Sequence, residues 1–434
     1  MKLSHQLLGN SFYRLLNLAV VFAINVLLAR LMKADGYGMF SLMLANVTFL
    51  NMLTSFGADA AITYQAASGK ITTGKIICIV SGLLIVQVVI TLIIENGFKV
   101  LTGHYWIYQG ALWTGVLYLV IISGLEKSTA LYNGKHLYIH INKYLFVSNL
   151  FILIVLMALF IGYNKAAAVF YLQFYIAVSL LQLLIIIVLF FIATKEKPAL
   201  SLVTTHELSP FFSYSIIVFI TNSIQFLAYR VDYWFMDFYH GKQSLGIYAL
   251  AVKLSQLFWI LPIAFAGIIF PATAKQSETN IQNNLPSLIR LMNLFNIVTA
   301  LLACFLMPFV LPFVFGEEYI PAIAAFLILL PGVILFCTAT ILAAYYAGIN
   351  KLKVNLLGSV ICFLIILVLD IWLIPTKGIR GAAIASSTGY GITGIYYLLR
   401  FTGEYKIPVV SLLYPSKEDW VYLKQIKKNL FKQV

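Results

Sequence analysis

Charge is scarce in this chain, and acidic charge scarcer still. Only 10% of its 434 residues are Asp, Glu, Lys or Arg, against 62% apolar, a balance that excludes an ordinary soluble domain. Cysteine is nearly absent. Cys78, Cys304, Cys337 and Cys362 each lie inside an apolar run with no CxxC or Cys/His spacing, which excludes a disulfide framework and a zinc site. No HExxH, GxSxG or paired-carboxylate spacing occurs in a soluble segment, and no loop is long enough to house a glycosyl-transfer site, so nothing points to an enzyme. Gly69 to Lys75, GKITTGK, has the outline of a phosphate loop. Ile76, however, stands where a Ser or Thr should hold magnesium, and apolar runs flank it instead of a strand. No cofactor is expected. Nucleic acid is not expected either, because the net charge of +14 is carried by short connecting segments and the tail from Arg400 to Lys432, not by a patch interleaved with exposed aromatics.

What is present is apolar length. Runs bounded by charges and Gly/Pro breaks predict about twelve membrane spans, from roughly 10–31 to 379–400. The first lacks a small-residue cleavage site and reads as a retained span. The fold class is therefore an all-α integral membrane protein of about 12 transmembrane helices. With both termini cytoplasmic, most of the 29 Lys and Arg, Lys127 among them, fall on inner segments, as the positive-inside rule requires.

The chain also resembles itself. Tyr37-Gly38-Met39-Phe40 matches Leu245-Gly246-Ile247-Tyr248 at an offset of 246 − 38 = 208. Tyr132-Asn133-Gly134 matches Tyr346-Ala347-Gly348, and Lys165 to Ala168 matches Arg380 to Ala383, at nearly the same offset. Spans repeated in the same order imply two six-helix lobes related by a pseudo-two-fold axis. The domains expected are an N-terminal lobe over 1–193, a cytoplasmic linker over 194–209, a C-terminal lobe over 210–402 and a basic cytoplasmic tail over 403–434.

Ionisable residues inside spans are the sharper signal. The stretch Leu245 to Pro271 could cross a bilayer, yet it carries Lys253 on an arc with Tyr248, Gln256 and Trp259. A cation near the bilayer centre costs roughly 2.5 to 3.5 kcal/mol on insertion scales. Lys253 therefore either faces a bundle interior or snorkels along its own stem to the headgroups. Arg14 shares a stripe with Asn17 and Asn25 on the first span; Asn51 lies on the second; Asn222, Gln225 and Tyr229 share a face of the seventh. Together these residues describe a cationic, aromatic-lined cavity between the lobes, suited to an anionic headgroup carrying sugars. Asp59 and Asp370 are the candidate ion-coupling residues. Their structural alternatives are an inner-headgroup position for Asp59 and an outer-interface position for Asp370, one turn before Pro375. Small residues at Gly381, Ala385 and Gly389 allow close helix packing.

These residues and their order carry a family resemblance over nearly the whole chain. Leu28-Ala29-Arg30 with Tyr37-Gly38 and Phe40, Phe56-Gly57, Leu245 to Ala249 through Pro262 to Pro271, Leu330-Pro331, Ile374-Pro375, Gly378 and Gly381 to Ala385 resemble polysaccharide-type flippases of the multidrug/oligosaccharidyl-lipid/polysaccharide exporter superfamily. The resemblance implies an O-antigen or exopolysaccharide flippase of the bacterial cytoplasmic (inner) membrane, acting in lipopolysaccharide or related synthesis. Such proteins move undecaprenyl-diphosphate-linked oligosaccharides between leaflets by alternating access. Membrane lipids, a polysaccharide polymerase and a chain-length regulator are the partners it implies. The chain departs from the murein-precursor branch, lacking that branch's extra helix pair and its arginine cluster in the first two spans. Two rivals remain: a drug or cation antiporter of the same superfamily, which favours cavity carboxylates over cations, and a membrane glycan polymerase or ligase, which needs a large outer loop.

Overall fold

The computed structural model describes residues 3–55, 57–68, 71–108, 111–162, 167–196, 205–274, 279–412 and 419. Lys165, half of the expected linker and about two thirds of the basic tail lie outside them. In hydrocarbon each backbone N–H and C=O has to be satisfied within its own segment, so long apolar runs become helices. They are Leu3–Ser55 (α1), Ala58–Ser68 (α2), Thr73–Thr102 (α3), Leu112–Gly134 (α4), Tyr138–Gly162 (α5), Ala168–Thr194 (α6), Thr205–Gln256 (α7), Ile260–Ala274 (α8), Thr279–Phe315 (α9), Pro321–Gly348 (α10) and Leu352–Tyr405 (α11). No strand occurs among the described residues. The segment that looks like a phosphate loop leads into α3 from a helix, α2, not from a strand.

Among the described residues, 9 helices are long and apolar enough to cross a membrane. At about 1.5 Å per residue, α1, α7 and α11 are far too long for one crossing. Each contains a break with left-handed backbone, at Lys33 (φ 56), Gly241 (φ 75) and Gly378 (φ 52). Each of the three therefore crosses twice, which gives the twelve crossings read from the sequence. The first two breaks are themselves repeats, since 241 − 33 = 208, the shift that lays Tyr37 to Phe40 on Leu245 to Tyr248. Glycine enters the left-handed region without the roughly 1–2 kcal/mol that a side chain costs there. Lys33 takes it at an exposed position.

The chain forms two compact units, Met1–Ser223 and Ile224–Val434. In the first, α1 packs on α4, α5 and α6, and α4 packs on α2 and α3. Tyr132, fully buried, donates from its hydroxyl to the Ile186 carbonyl at 3.0 Å and ties α4 to α6. In the second, α10 packs against α8, α9 and α11. Its contact with α11 is backbone to backbone, for a Cβ added at Gly332 would lie 2.1 Å from the Ser387 carbonyl oxygen. In the small stripe of α11, Gly389 instead admits a side chain, for a Cβ there would lie 2.4 Å from Cγ1 of Ile366 in the same helix's first half.

One tail residue is anchored in the second unit. Asp419, with no exposed surface, receives the Arg290 guanidinium of α9 through Nε at 3.0 and 2.8 Å and through Nη2 at 2.6 Å. Nη1 of the same side chain donates to the Ser411 carbonyl at 3.0 Å. Removing one partner of a buried pair costs roughly 3–5 kcal/mol, because the other charge is left uncompensated. Asp419→Ala is therefore expected to lower the stability of the detergent-solubilised protein by about that amount, and Arg290→Met with Asp419→Leu to restore most of it. Thermal melts that coincide for wild type and Asp419→Ala contradict the assignment.

Candidate functional site

The residues singled out in the sequence divide evenly between the two units, and those of the second come together. On α7, Gln225, Tyr229, Asp232 and Tyr233 recur at helical spacing and share a face. Gln225 accepts a hydrogen bond from Ser359 Oγ of α11 at 2.7 Å. Tyr229 meets Trp259, Phe336 and Tyr390 in a tetrad whose six ring pairs lie 5.1 to 6.1 Å apart, separations that favour tilted and edge-on aromatic contacts. Trp259 occupies a single 3-10 turn, Leu257–Trp259, between α7 and α8, and such a change of pitch inside a span commonly marks a hinge.

Lys253, half-buried one turn before that hinge, lies within electrostatic reach of Arg230. The Arg230 guanidinium sits 4.9 Å from the Tyr233 ring and donates to the Tyr229 carbonyl at 3.1 Å. Gln256, also half-buried, ends α7. Two cations and an aromatic wall thus belong to one unit. Sequence reading placed Arg230 near a span end, and only the fold brings it to Lys253.

Beside the cations lie two buried carboxylates. Asp370 has no exposed surface, and no donor among the described residues reaches either of its oxygens. α11 continues past Pro375 to its break at Gly378, and Asp370 interacts with Asp232 and Tyr248 of α7. Asp232, 1% exposed, accepts from the Tyr248 hydroxyl at 2.5 Å and from Ser386 Oγ at 3.1 Å, while its other oxygen has no hydrogen-bond partner among the described residues. Two adjacent carboxylates inside a membrane are costly unless they share protons or hold a cation.

In the first unit the expected residues are more dispersed. Arg14 is exposed. Asn17 accepts from Asn149 Nδ2 at 2.8 Å, and Gln182 of α6 donates to Asn149 at 3.0 Å and to Ser148 at 2.8 Å. Asn25 donates to its own helix at Val21 and accepts from the Tyr37 hydroxyl. Asn222 is exposed near the end of this unit. Asn51, by contrast, is 3% exposed and closed into a network, donating to Glu126 at 2.5 Å and accepting from Gln87 at 2.7 Å and Ser55 at 3.0 Å. It does not stand open as a lining residue, because α3 and α4 cover that face of α1.

The same network holds a residue misread from the sequence. Lys127, counted among the inner-segment cations, is 1% exposed and donates to Ser55 at 3.0 Å and to Ser123. It is buried because α4 runs on to Gly134. The available signal was Gln87, an isolated polar residue in the apolar run of α3, which receives the Ser123 hydroxyl at 2.7 Å. Asp59, half-buried, interacts electrostatically with Lys127 and Glu126, and it borders a cavity of about 420 Å³ with Thr63, Thr129 and Asn133.

Among the described residues the chain is helical, with twelve crossings and charges inside them, the architecture of a polytopic membrane protein. Residues 8–277 match the model of the polysaccharide biosynthesis protein family, and the chain belongs to that family. No curated protein sequence matches it. The lipid II flippase MurJ in an inward closed conformation is similar to it with TM-score 0.74 and 17% identity, over 97% of this chain and 92% of MurJ. An inward-facing multidrug resistance transporter of the MATE family gives TM-score 0.64 and 11% identity, over 94% of this chain and 98% of that one. A MOP superfamily transporter from Pyrococcus furiosus, described by the reversed polarity of its binding pocket, gives 0.62 and 14%, over 94% and 96%. At these identities the likeness is one of fold.

Proposed function

We propose that the protein is a flippase for undecaprenyl-diphosphate-linked oligosaccharides, of the O-antigen or exopolysaccharide kind, in the bacterial inner membrane with both termini cytoplasmic. The observation that carries this reading is the pairing of Lys253 with Arg230 beside an aromatic wall. Cations grip a diphosphate through charge-assisted hydrogen bonds, and aromatic faces suit sugar rings. Arg14, Asn17, Asn25 and Asn222 of the first unit and Gln225, Tyr229, Gln256 and Trp259 of the second line the substrate's path in this reading, and Asn51 supports that lining from behind. Asp232 and Asp370 carry the coupling ion, a proton or a small monovalent cation. Asp59 is the corresponding candidate in the first unit. A drug antiporter would turn carboxylates toward its substrate, whereas here the acidic pair is at most 1% exposed. A polymerase and a chain-length regulator would act on the delivered product.

The test is reconstitution. Purified protein in proteoliposomes with a fluorescent undecaprenyl-diphosphate oligosaccharide is expected to change the leaflet accessibility of the glycan and leave its mass unchanged. A cleaved or lengthened glycan would make the protein an enzyme and end this reading.

A further inference from the structure

α5 and α6 leave an open groove of about 500 Å³ in the first unit, with Val147, Phe151 and Ile185 on its walls. Ser148 and Gln182 also line it, and Lys143 stands at one end. Along α5 it runs from Lys143 to Ile152, nine residues or about 14 Å. Both helices are membrane spans, so the groove faces hydrocarbon along most of its length. Lys143 lies near the start of α5, where a span meets the headgroup layer. It is exposed, and none of the ion pairs found among the described residues involves it. His140, also exposed, precedes it by one turn.

A free ammonium at the end of an apolar slot complements an anionic head on an acyl chain, and basic pockets between transmembrane helices commonly hold such lipids. We propose that the groove binds one anionic phospholipid of the surrounding bilayer, with an acyl chain between α5 and α6 and the phosphate on Lys143. The bound chain lies against Ser148 and Gln182, which connect through Asn149 to Asn17 of α1. Only the functional weight of that connection rests on the flippase reading. The binding itself does not.

The experiment is native mass spectrometry of the full chain from nanodiscs of phosphatidylethanolamine with a minor fraction of phosphatidylglycerol. One phosphatidylglycerol per protein is expected to survive desolvation. Lys143→Glu is expected to reduce that retention about tenfold, the scale of one lost charge-assisted contact. Val147→Trp with Ile185→Trp, which fills the slot and leaves the lysine in place, is expected to abolish it. Both variants alter exposed side chains, and a monodisperse elution profile checks their folding. Equal retention by Lys143→Glu, or lipid held without headgroup preference, would overturn the proposal. So would undecaprenyl phosphate from the native membrane occupying the site instead. None of these outcomes depends on whether the protein transports, so a failure here is distinguishable from a failure of the flippase reading.

Discussion

Lys253→Ala is expected to abolish most surface glycan export while membrane abundance stays at the wild-type level. The lysine sits half-buried in α7 beside Arg230 and one turn from the hinge at Leu257–Trp259. Arg230 already has the buried Asp232 as an anionic neighbour, and in the proposed cycle the anion that Lys253 meets is the diphosphate. Each charge-assisted hydrogen bond to it is worth about 1.5 to 3 kcal/mol, or roughly ten- to a hundredfold in affinity. Lys253→Arg should retain part of the activity, since a planar fork only partly replaces a point charge. Lys377, exposed near the break in α11, is the control, and its loss should change little. Normal export by Lys253→Ala at normal abundance would leave Lys253 as a snorkelling side chain and remove the cationic site.

The second large effect is expected at Asp370. Asparagine has the same shape and no charge, so Asp370→Asn removes the ion chemistry of the pair with Asp232 and keeps the packing. Coupling free energies between an ion and a substrate typically run 1–3 kcal/mol, about 5- to 150-fold, and gradient-driven flipping in proteoliposomes should fall by a factor in that range. Stability should not fall with it. Neither Asp370 oxygen has a hydrogen-bond partner among the described residues, and taking an uncompensated charge out of the interior is neutral or stabilising. Asp35, exposed on α1, serves as the comparison and should tolerate the same change. If Asp370→Asn flips at the wild-type rate with the same dependence on the gradient, the acidic pair is structural and coupling lies elsewhere.

The candidate site was legible wherever its members share one helix. Gln225, Tyr229, Asp232 and Tyr233 fall on one face by spacing alone, and Lys253 with Gln256 and Trp259 does likewise. Where the site depends on two helices, the sequence fell short. Asp370 could be read only by its distance from Pro375, and the fold adds Asp232 and Tyr248 of α7 as its neighbours. Lys127 looked like a loop cation because Asn133-Gly134-Lys135 follows it closely, but Ser55 of α1 and Ser123 of α4 supply the hydroxyl partners that let it stay buried. The aromatic tetrad joins Tyr229 to Tyr390 and Trp259 to Phe336, positions too distant in the chain for any periodicity to connect.

The sequence by itself determined that this is a helical membrane protein, how many times it crosses, and that its halves repeat. Those properties follow from local physics: a bilayer forces each apolar run to satisfy its own backbone, and turns fall where Gly or a tolerated left-handed residue permits them. The recurrence of a break at Lys33 and Gly241, 208 residues apart, shows how closely a one-dimensional pattern constrains the fold. Only the tertiary structure decided which charges are partners. Asp232 comes within electrostatic reach of Asp370, Arg230 of Lys253, and Arg290 bonds Asp419 at 2.8 Å, because packing sets the distances between residues far apart in sequence. Electrostatic energy varies with that distance and with the water excluded around it, and neither quantity is written in the order of the residues.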